Sequence, residues 1–237
     1  MRVAVVTGAS SGIGEALCSE LRSRGWRVVG LSRQPALAAD EHEECDVTDP
    51  VAVEQVAVRV LERHPRVDLL VNNAGVPVRG ATFLDGDPEV IRGAVETNYF
   101  GGIWCTRAFL PGLIAGSAVV NMVSVAGTVA RGPYSASKHA QLAFSRSVAV
   151  ELLVRDVHVL GVLPGFVETP GFPQRTRLGF PLRLIVVDPE LVATRTLDAV
   201  EKRRREIYVP RWYRPVAWLQ ALVPALLTRR SLPGVRA

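Results

Sequence analysis

Three side chains in the middle of the sequence could together move a proton: those of Ser124, Tyr134 and Lys138. Tyr134 and Lys138 lie four residues apart in a segment with helical periodicity, so their side chains would share one helix face. Because an ammonium beside a phenol favours the phenolate, we expect the pKa of Tyr134 to fall below its ordinary value of about 10. A phenol tuned in this way can exchange a proton with a carbonyl or alcohol oxygen. The pattern predicts acid–base chemistry on such an oxygen, with Ser124 as a second hydrogen-bonding group.

A glycine-rich stretch near the start of the chain, T-G-A-S-S-G-I-G, follows a run of β-branched residues. Gly8 would begin a tight turn, Gly12 would let the backbone approach an anion, and Gly14 would let the next helix pack closely on the sheet. The N–H groups and positive dipole end of that helix suit a pyrophosphate. Taken alone, the spacing is weak evidence for a phosphate-binding turn, because a plain strand-to-helix turn can also be rich in glycine.

Two kinds of segment alternate along the chain and must position these residues. Short runs rich in Val and Leu are typical of buried parallel strands and occupy Arg2–Thr7, Arg27–Leu31, Val67–Val71, Ala118–Val123 and Val157–Leu163. Longer segments with helical periodicity occupy Ile13–Arg24, Pro50–Arg63, Pro88–Leu110 and Tyr134–Val154. This alternation predicts a doubly wound parallel sheet of the α/β class, which binds ligands beyond the carboxyl ends of its strands.

The composition predicts one domain in a reducing compartment. A chain of 237 residues with 48% hydrophobic content can bury one large core, and no linker, repeat or low-complexity tract divides it. We therefore assign residues 1–210 to one nucleotide-binding domain and residues 211–237 to an extra C-terminal segment. The scattered cysteines, Cys18, Cys45 and Cys105, predict buried thiols, and no histidine has metal-ligand spacing. With no apolar leader after the first methionine, we expect a cytoplasmic protein. Because no histidine has metal-ligand spacing, we expect no bound metal.

The net charge of +5 is concentrated after residue 200. A basic end permits contact with nucleic acid or an anionic membrane, but the rest of the chain is closer to balance, so we expect no nucleic-acid partner. The final segment combines an apolar stripe with flanking arginines and is too short and too broken by Pro215 and Pro224 to span a bilayer. It could cap the substrate pocket, contact another subunit or lie in a membrane interface, and the first two readings are favoured.

Several further motifs follow the glycine turn in a set order. They are C-D-V-T-D around Asp46, N-N-A-G from Asn72 to Gly75, T-N-Y-F-G around Asn98, M-V-S at Ser124, Y-S-A-S-K from Tyr134 and P-G-F-V-E-T from Pro164. Over roughly the first 170 residues this order resembles the short-chain dehydrogenase/reductase family, a group with a single Rossmann domain that binds NAD(H) or NADP(H). The resemblance implies hydride transfer between the nicotinamide and a small-molecule alcohol or carbonyl.

The resemblance also assigns residues to roles. It implies catalytic roles for Asn98, Ser124, Tyr134 and Lys138, with Asn98 holding a water that links Lys138 to solvent. The residues that it implies for cofactor binding are Gly8, Ser10, Ser11, Gly12, Ile13, Gly14, Ser32, Arg33, Asp46, Val47, Asn73, Ala74, Gly75, Tyr134, Lys138, Pro164, Gly165, Val167 and Thr169. Members commonly form homodimers or homotetramers, which here would use the helices predicted at Pro88–Leu110 and Tyr134–Val154.

The end of the second predicted strand bears on the choice of cofactor. An acidic residue there would bind the ribose 2′-hydroxyl of NAD, whereas an arginine favours the 2′-phosphate of NADP. The chain has Ser32 and Arg33 and no carboxylate at this point, so we predict NADP(H). Since cells usually keep this cofactor reduced, the resemblance implies reduction of a carbonyl.

The resemblance places the substrate pocket in residues 76–83, 125–131 and 170–185. Apolar members of the predicted pocket are Val125, Val129, Phe166, Phe172, Phe180 and Leu184, and possible charges at its rim are Arg131, Arg175, Arg177 and Arg183. This composition favours a hydrophobic ketone or aldehyde.

The connection between Ser124 and Tyr134 is shorter than the resemblance leads us to expect. The missing residues either shorten a loop beside the pocket or displace Tyr134, and a displacement of about 1 Å can cost roughly a hundredfold in rate. A non-catalytic nucleotide-binding scaffold or sensor of the same fold is therefore the alternative to an enzyme.

Overall fold

In the computed structural model, seven parallel strands form one central sheet in the order β3-β2-β1-β4-β5-β6-β7. The strands are β1 (Val3–Thr7), β2 (Arg27–Ser32), β3 (Glu41–Glu44), β4 (Leu69–Asn72), β5 (Ala118–Met122), β6 (His158–Pro164) and β7 (Glu206–Val209). The structure describes residues 1–78, 82–129, 132–171, 173–176, 178–180 and 182–222. The predicted α/β fold with a doubly wound parallel sheet is confirmed.

Helices cover both faces of the sheet. Within the described ranges they are α1 (Gly12–Ser23), α2 (Pro50–Arg63), α3 (Pro88–Val95), α4 (Gly101–Phe109), α5 (Gly132–Glu151), α6 (Pro189–Glu201) and α7 (Tyr213–Leu222). Alternate residues of β1 point to opposite faces, so Val6 packs with Leu17 of α1 in one cluster while Val5 packs with Val53 of α2 in the other. Burial on both faces explains why β1 reads as a continuous apolar run.

The single helix predicted over Pro88–Leu110 is wrong in one respect. Between α3 and α4 the backbone forms a π-helical turn, Glu96–Phe100, and a 3₁₀ turn, Leu110–Gly112, follows α4. A π-turn inserts an extra residue into the helix and so changes which side chains face inward. Here it turns Asn98 fully into the interior, where two hydrogen bonds to the backbone of Val76 hold it.

The elements that were not predicted include α6 and β7. The strand β7 has only four residues and follows a basic run, so it lacks the long apolar stretch that marks the inner strands. It pairs with β6 at the edge of the sheet, and α6 packs beside α1 on one face of the sheet.

The C-terminal segment forms α7, and its inner side joins a small cluster with the ends of β5 and β6. Tyr213 and Ala217 pack there with Val123, Leu142 and Leu163. Part of the predicted apolar stripe and some of its flanking arginines lie outside the described residues. These are Val223, Leu226, Leu227, Arg229, Arg230 and Arg236. In the part of the chain that the structure describes, no helix is long and apolar enough to cross a membrane.

The three cysteines are free and buried, as predicted. Among the described residues, no cluster of histidine, cysteine and carboxylate side chains could hold a metal ion.

Candidate active site

A cleft of about 790 Å³ lies at the carboxyl ends of β1, β4, β5 and β6. The chain winds toward β3 on one side of β1 and toward β7 on the other, so the cleft sits where the strand order reverses. Of the predicted cofactor residues, those that line it are Gly8, Ser10, Ser11, Gly12, Ile13, Ser32, Arg33, Asp46, Val47, Asn73, Ala74, Gly75, Tyr134, Lys138, Pro164, Gly165, Val167 and Thr169. Gly14 does not line the cleft.

The glycine turn after β1 has the geometry that a bound phosphate group needs. Gly8 and Gly12 have φ angles of +64° and +58°, in the left-handed region that favours glycine. A Cβ at Gly14 would lie 2.1 Å from the Gly8 carbonyl oxygen, so this glycine lets α1 approach the strand and has no room for a side chain. The side chain of Ser11 does not cap α1, so the first N–H groups of that helix are free of a side-chain acceptor.

Hydrogen bonds of Thr7 hold the N-N-A-G segment at the end of β1. Its Oγ1 accepts hydrogen bonds from the backbone N–H groups of Asn73 and Ala74, each at 2.9 Å. The Asn73 side chain donates in turn to the Thr7 carbonyl oxygen at 2.9 Å. These bonds fix the wall of the cleft formed by Asn73, Ala74 and Gly75, which the fold places between the glycine turn and Tyr134.

An arginine and an aspartate lie at the far end of the cleft, beyond β2 and β3. The Arg33 side chain is 69% exposed, and its guanidinium lies 3.7 Å from an Asp46 carboxylate oxygen. The other Asp46 oxygen accepts from the backbone N–H and the hydroxyl of Thr48, so the carboxylate has a fixed position. A long, exposed ion pair holds Arg33 only weakly, which leaves its guanidinium available to an anion.

Ser124 and Tyr134 meet at the inner end of the cleft. The Ser124 hydroxyl lies close enough to Tyr134 to influence the pKa of the phenol, and Ser124 Oγ accepts from the backbone N–H of Ala126 at 3.1 Å. The first part of the short connection between them folds as a 3₁₀ turn, Val125–Thr128, and Ser135 of α5 donates to its Ala126 carbonyl oxygen at 2.7 Å. The turn therefore packs directly on α5, and Tyr134 stays in the wall of the cleft beside Ser124.

Lys138 lies one helical turn after Tyr134 and is buried. Its Nζ donates to the Met122 carbonyl oxygen at 3.2 Å and to Gln141 Oε1 at 2.7 Å, and lies 5.9 Å from the centre of the Tyr134 ring. The sequence analysis missed Gln141, although its polar side chain three residues after Lys138 on the inward face was a usable signal.

The expected fall in the pKa of Tyr134 is wrong for the protein without cofactor. Burial raises the pKa of Tyr134, and the Ser124 hydroxyl beside it lowers the pKa by less. Burial also lowers the pKa of Lys138 to about 7. Both shifts have one cause, since removal from water disfavours the phenolate and the ammonium alike.

Asn98 does not line the cleft, although the resemblance implies a catalytic role for it. Its Oδ1 accepts from Val76 N at 2.8 Å, and its Nδ2 donates to the Val76 carbonyl oxygen and to Ser137 Oγ, each at 3.0 Å. The side chain therefore joins the π-turn, the wall of the cleft and α5. The water that it was predicted to hold stays a prediction.

Part of the lining of the cleft is apolar. Apolar side chains in it include Val76, Pro77, Val78, Val125, Val129, Phe166 and Leu178. The predicted pocket residues Phe180 and Leu184 are wrong, because their side chains are 76% and 69% exposed and do not line the cleft. Of the predicted rim charges, Arg175 pairs with Asp188 at 2.8 Å, and Arg183 is exposed. Phe172, Arg131 and Arg177 lie outside the described residues.

Comparison with known proteins agrees with this geometry. The family model for short chain dehydrogenases matches residues 2–177. A putative ketoacyl reductase of Streptomyces coelicolor is 39% identical over 188 residues, covering 71% of this chain and 71% of that protein.

Two solved structures resemble the whole chain. A short chain dehydrogenase from Burkholderia cenocepacia in complex with NADP has a TM-score of 0.83 at 31% identity and covers 98% of this chain and 100% of its own. A short chain dehydrogenase/reductase from Burkholderia phymatum in complex with NAD has a TM-score of 0.83 at 26% identity and covers 100% of this chain and 97% of its own. With its parallel sheet, glycine turn and Tyr134–Lys138 pair, the chain belongs to the short-chain dehydrogenase/reductase family of oxidoreductases, which use a nicotinamide cofactor.

Proposed function

We propose that the protein reduces a hydrophobic ketone or aldehyde with NADPH. The observation that carries this proposal is that Ser124, Tyr134 and Lys138 all line one cleft, with Lys138 one turn after Tyr134 on the same helix. A protein that only bound a nucleotide would have no need for two adjacent hydroxyl groups and a buried amine at this point.

The chain's own residues bind, orient and donate a proton. When bound, the nicotinamide supplies the hydride to the carbonyl carbon. Ser124 and Tyr134 would both hydrogen-bond the carbonyl oxygen, and the Tyr134 hydroxyl would give that oxygen its proton as the alcohol forms. Because burial raises the pKa of Tyr134, the proton-bearing form is available at neutral pH. Lys138, once charged, would stabilise the phenolate left behind.

The glycine turn, Ser32 and Arg33 support NADPH as the cofactor. The turn after β1 fits a pyrophosphate, since its glycines leave space and the N–H groups at the start of α1 are free of a side-chain cap. Arg33 lies at the end of the cleft where the resemblance places the adenosine ribose, and its exposed guanidinium suits a 2′-phosphate. One similar structure holds NADP and another holds NAD, so the proposal rests on Arg33 of this chain.

The apolar wall near Tyr134 supports a hydrophobic carbonyl substrate. Val125, Val129 and Phe166 line the same cleft as Ser124 and Tyr134. The similar ketoacyl reductase of Streptomyces coelicolor also bears a name that denotes carbonyl reduction.

The test is NADPH oxidation with a panel of aldehydes, ketones and quinones, followed by absorbance. Tyr134→Phe should reduce kcat by at least about a hundredfold while leaving NADPH binding within a few-fold, because it removes only the proton donor. Tyr208→Phe is the matched control, since Tyr208 is a buried tyrosine that does not line the cleft. NADPH binding without turnover of any carbonyl would favour the scaffold or sensor instead.

We further propose a homodimer or homotetramer in a reducing, cytoplasmic environment. Three buried free thiols support the location. The surfaces that the family resemblance suggests for assembly are helix α5 and the helical segment that runs from α3 through the π-turn to α4. The mass in solution, measured by light scattering, tests the assembly.

A further inference from the structure

One buried polar side chain beside the active site has no part in the chemistry proposed above: that of Gln141 on α5. It is 2% exposed, and its Oε1 accepts a hydrogen bond from Lys138 Nζ at 2.7 Å. A second donor of Nζ goes to the Met122 carbonyl oxygen at 3.2 Å. Since an ammonium has three donors, one remains for a ligand in the cleft.

Gln141 belongs to a polar stripe along the inner side of α5. Tyr134, Lys138, Gln141 and Ser145 follow one another at intervals of three or four residues, which places them on one face of the helix. Ser145 Oγ accepts from Asn121 Nδ2 at 3.1 Å and so belongs to a different hydrogen-bonded group. Gln141 is the member of the stripe that touches the amine.

The surroundings of Lys138 show why this contact matters. Its Nζ lies 3.5 Å from the point where a Cβ on Gly75 would stand, and Gly75 lines the cleft. The Asn98 Oδ1 lies 3.1 Å from the same point and is neutral, and Tyr134 is the titratable side chain nearby. In the described part of the chain no carboxylate forms an ion pair with Lys138, so the only side-chain oxygen that accepts from its ammonium is that of Gln141.

We propose that Gln141 is a positioning residue for Lys138: its amide oxygen stabilises the ammonium in the buried site and aims it at the Gly75 side of the cleft. This inference deepens the proposed reductase function and rests on it where the role of Lys138 in turnover is concerned. The amide achieves this without a negative charge. A carboxylate in its place would hold the ammonium more strongly, and an alkyl group would not hold it.

The sequence allows a direct test by NMR, because Lys138 and Lys202 are its only lysines. Protein labelled with ¹³C at the lysine Cε should give two titrating signals, which Lys202→Arg assigns. Gln141→Leu should lower the pKa of Lys138 by about one unit, the size expected for one lost hydrogen bond to a charged group, and Gln141→Glu should raise it. Gln141→Met gives the same comparison if the Leu variant fails to fold.

Turnover gives the second readout. Because the ammonium is needed, kcat should fall as the pH rises through the pKa of Lys138. In Gln141→Leu this fall should begin at lower pH, with kcat at neutral pH reduced about fivefold and KM for the carbonyl changed less than about threefold. Ser145→Ala is the control: Ser145 is 3% exposed on the same stripe, and its variant should keep the wild-type pH profile.

The outcomes separate this inference from the proposed function. An unchanged Lys138 titration in Gln141→Leu overturns the role of Gln141, whether or not the protein reduces carbonyls. The expected titration shifts with no Tyr134-dependent turnover in the wild type support the contact and overturn the reductase proposal. Equal pH profiles for Gln141→Leu and the wild type reduce Gln141 to a packing residue.

Discussion

Burial of the Lys138 side chain disfavours its charged form. Its ordinary pKa of 10.5 falls to about 7 inside the protein because the ammonium loses water. The buried lysine is therefore poised near neutral pH, so that a bound cofactor or a neighbouring oxygen can decide its charge. This residue-scale property was not visible in the sequence, where Lys138 was expected to be an ammonium that lowers the pKa of Tyr134.

The same burial makes the stability of the protein depend on pH. Between pH 7 and 10.5 the unfolded chain holds the lysine proton and the folded chain has lost it, so the free energy of unfolding of the wild type rises with pH. Lys138→Met cannot titrate. The difference in free energy of unfolding, wild type minus variant, should rise by up to about 1.4 kcal/mol per pH unit in this range and stay constant below it.

Urea unfolding of the cofactor-free protein at several pH values measures this difference. Lys202→Met is the control, since Lys202 is exposed, and its difference from the wild type should stay flat. A flat difference for Lys138→Met as well would mean that the lysine keeps its proton when buried.

Arg33 is the residue at which the choice of cofactor can be tested. Arg33→Ala should reduce kcat/KM for NADPH by about tenfold to a hundredfold and change that for NADH less than about threefold, since only NADPH has a 2′-phosphate. Arg92→Ala is a suitable control, because Arg92 is 70% exposed on α3 and does not line the cleft. Equal losses with both cofactors would contradict the proposed preference.

At the scale of elements, packing around glycine decides how closely α1 approaches the sheet. Gly14→Ala would place a Cβ 2.1 Å from the Gly8 carbonyl oxygen and 2.6 Å from Asn73 Nδ2. It should cost about 1–3 kcal/mol of stability, as overpacking against a backbone does, and weaken NADPH binding by moving the turn. Gly93→Ala in α3 meets no atom within 4 Å and should instead stabilise by about 0.5–1 kcal/mol.

Thermal and urea unfolding of the two variants, with NADPH titration by fluorescence, measure these effects. Both changes add one methyl group inside a helix and so gain the same helix propensity. Changes of opposite sign in the free energy of unfolding would therefore show the cost of the close contact at Gly14. A neutral Gly14→Ala would show that α1 can move away without cost.

The inner strands and most helices could be predicted from the sequence because their buried positions carry apolar residues at the spacing of a strand or a helix. Strand β1 is buried on both faces, and α2 was predicted with its observed bounds, Pro50–Arg63. The π-turn at Glu96–Phe100 could not be predicted, since it depends on Asn98 finding partners in Val76 and Ser137 far along the chain. Most of the predicted cofactor residues line the cleft because they follow strand ends. Phe180 and Leu184 lie before and within the short 3₁₀ turn Leu182–Ile185, whose position no periodic pattern predicts.

At the scale of the whole molecule, α7 joins the end of the chain to the active site. Tyr213 is buried, and a Cβ on Gly165 would lie 2.0 Å from its ring, so the helix packs directly on the loop after β6. The opposite side of α7 exposes Trp218 and Leu222, at 56% and 81%. The inner contacts support the proposal that this segment caps the substrate pocket, and the outer residues are the ones that a subunit or membrane would cover.

Substitutions on the two sides of α7 separate these proposals. Tyr213→Ala should cost about 3–5 kcal/mol of stability, as loss of a buried aromatic ring does, and raise KM for NADPH because the loop at Gly165 loses its support. Trp218→Ala should change the monomer's stability by less than about 0.5 kcal/mol, since its side chain is half exposed. Urea unfolding and steady-state kinetics measure both.

The Trp218 variant also decides what lies against the outer side of α7. If this side contacts a second subunit, Trp218→Ala should lower the mass found by light scattering. If it lies in a membrane interface, the wild type should float with anionic vesicles and the variant should not. If α7 serves only as a cap, neither result should change while Tyr213→Ala still raises KM. A Tyr213→Ala variant with wild-type KM for NADPH would separate α7 from the cofactor loop and contradict the capping role.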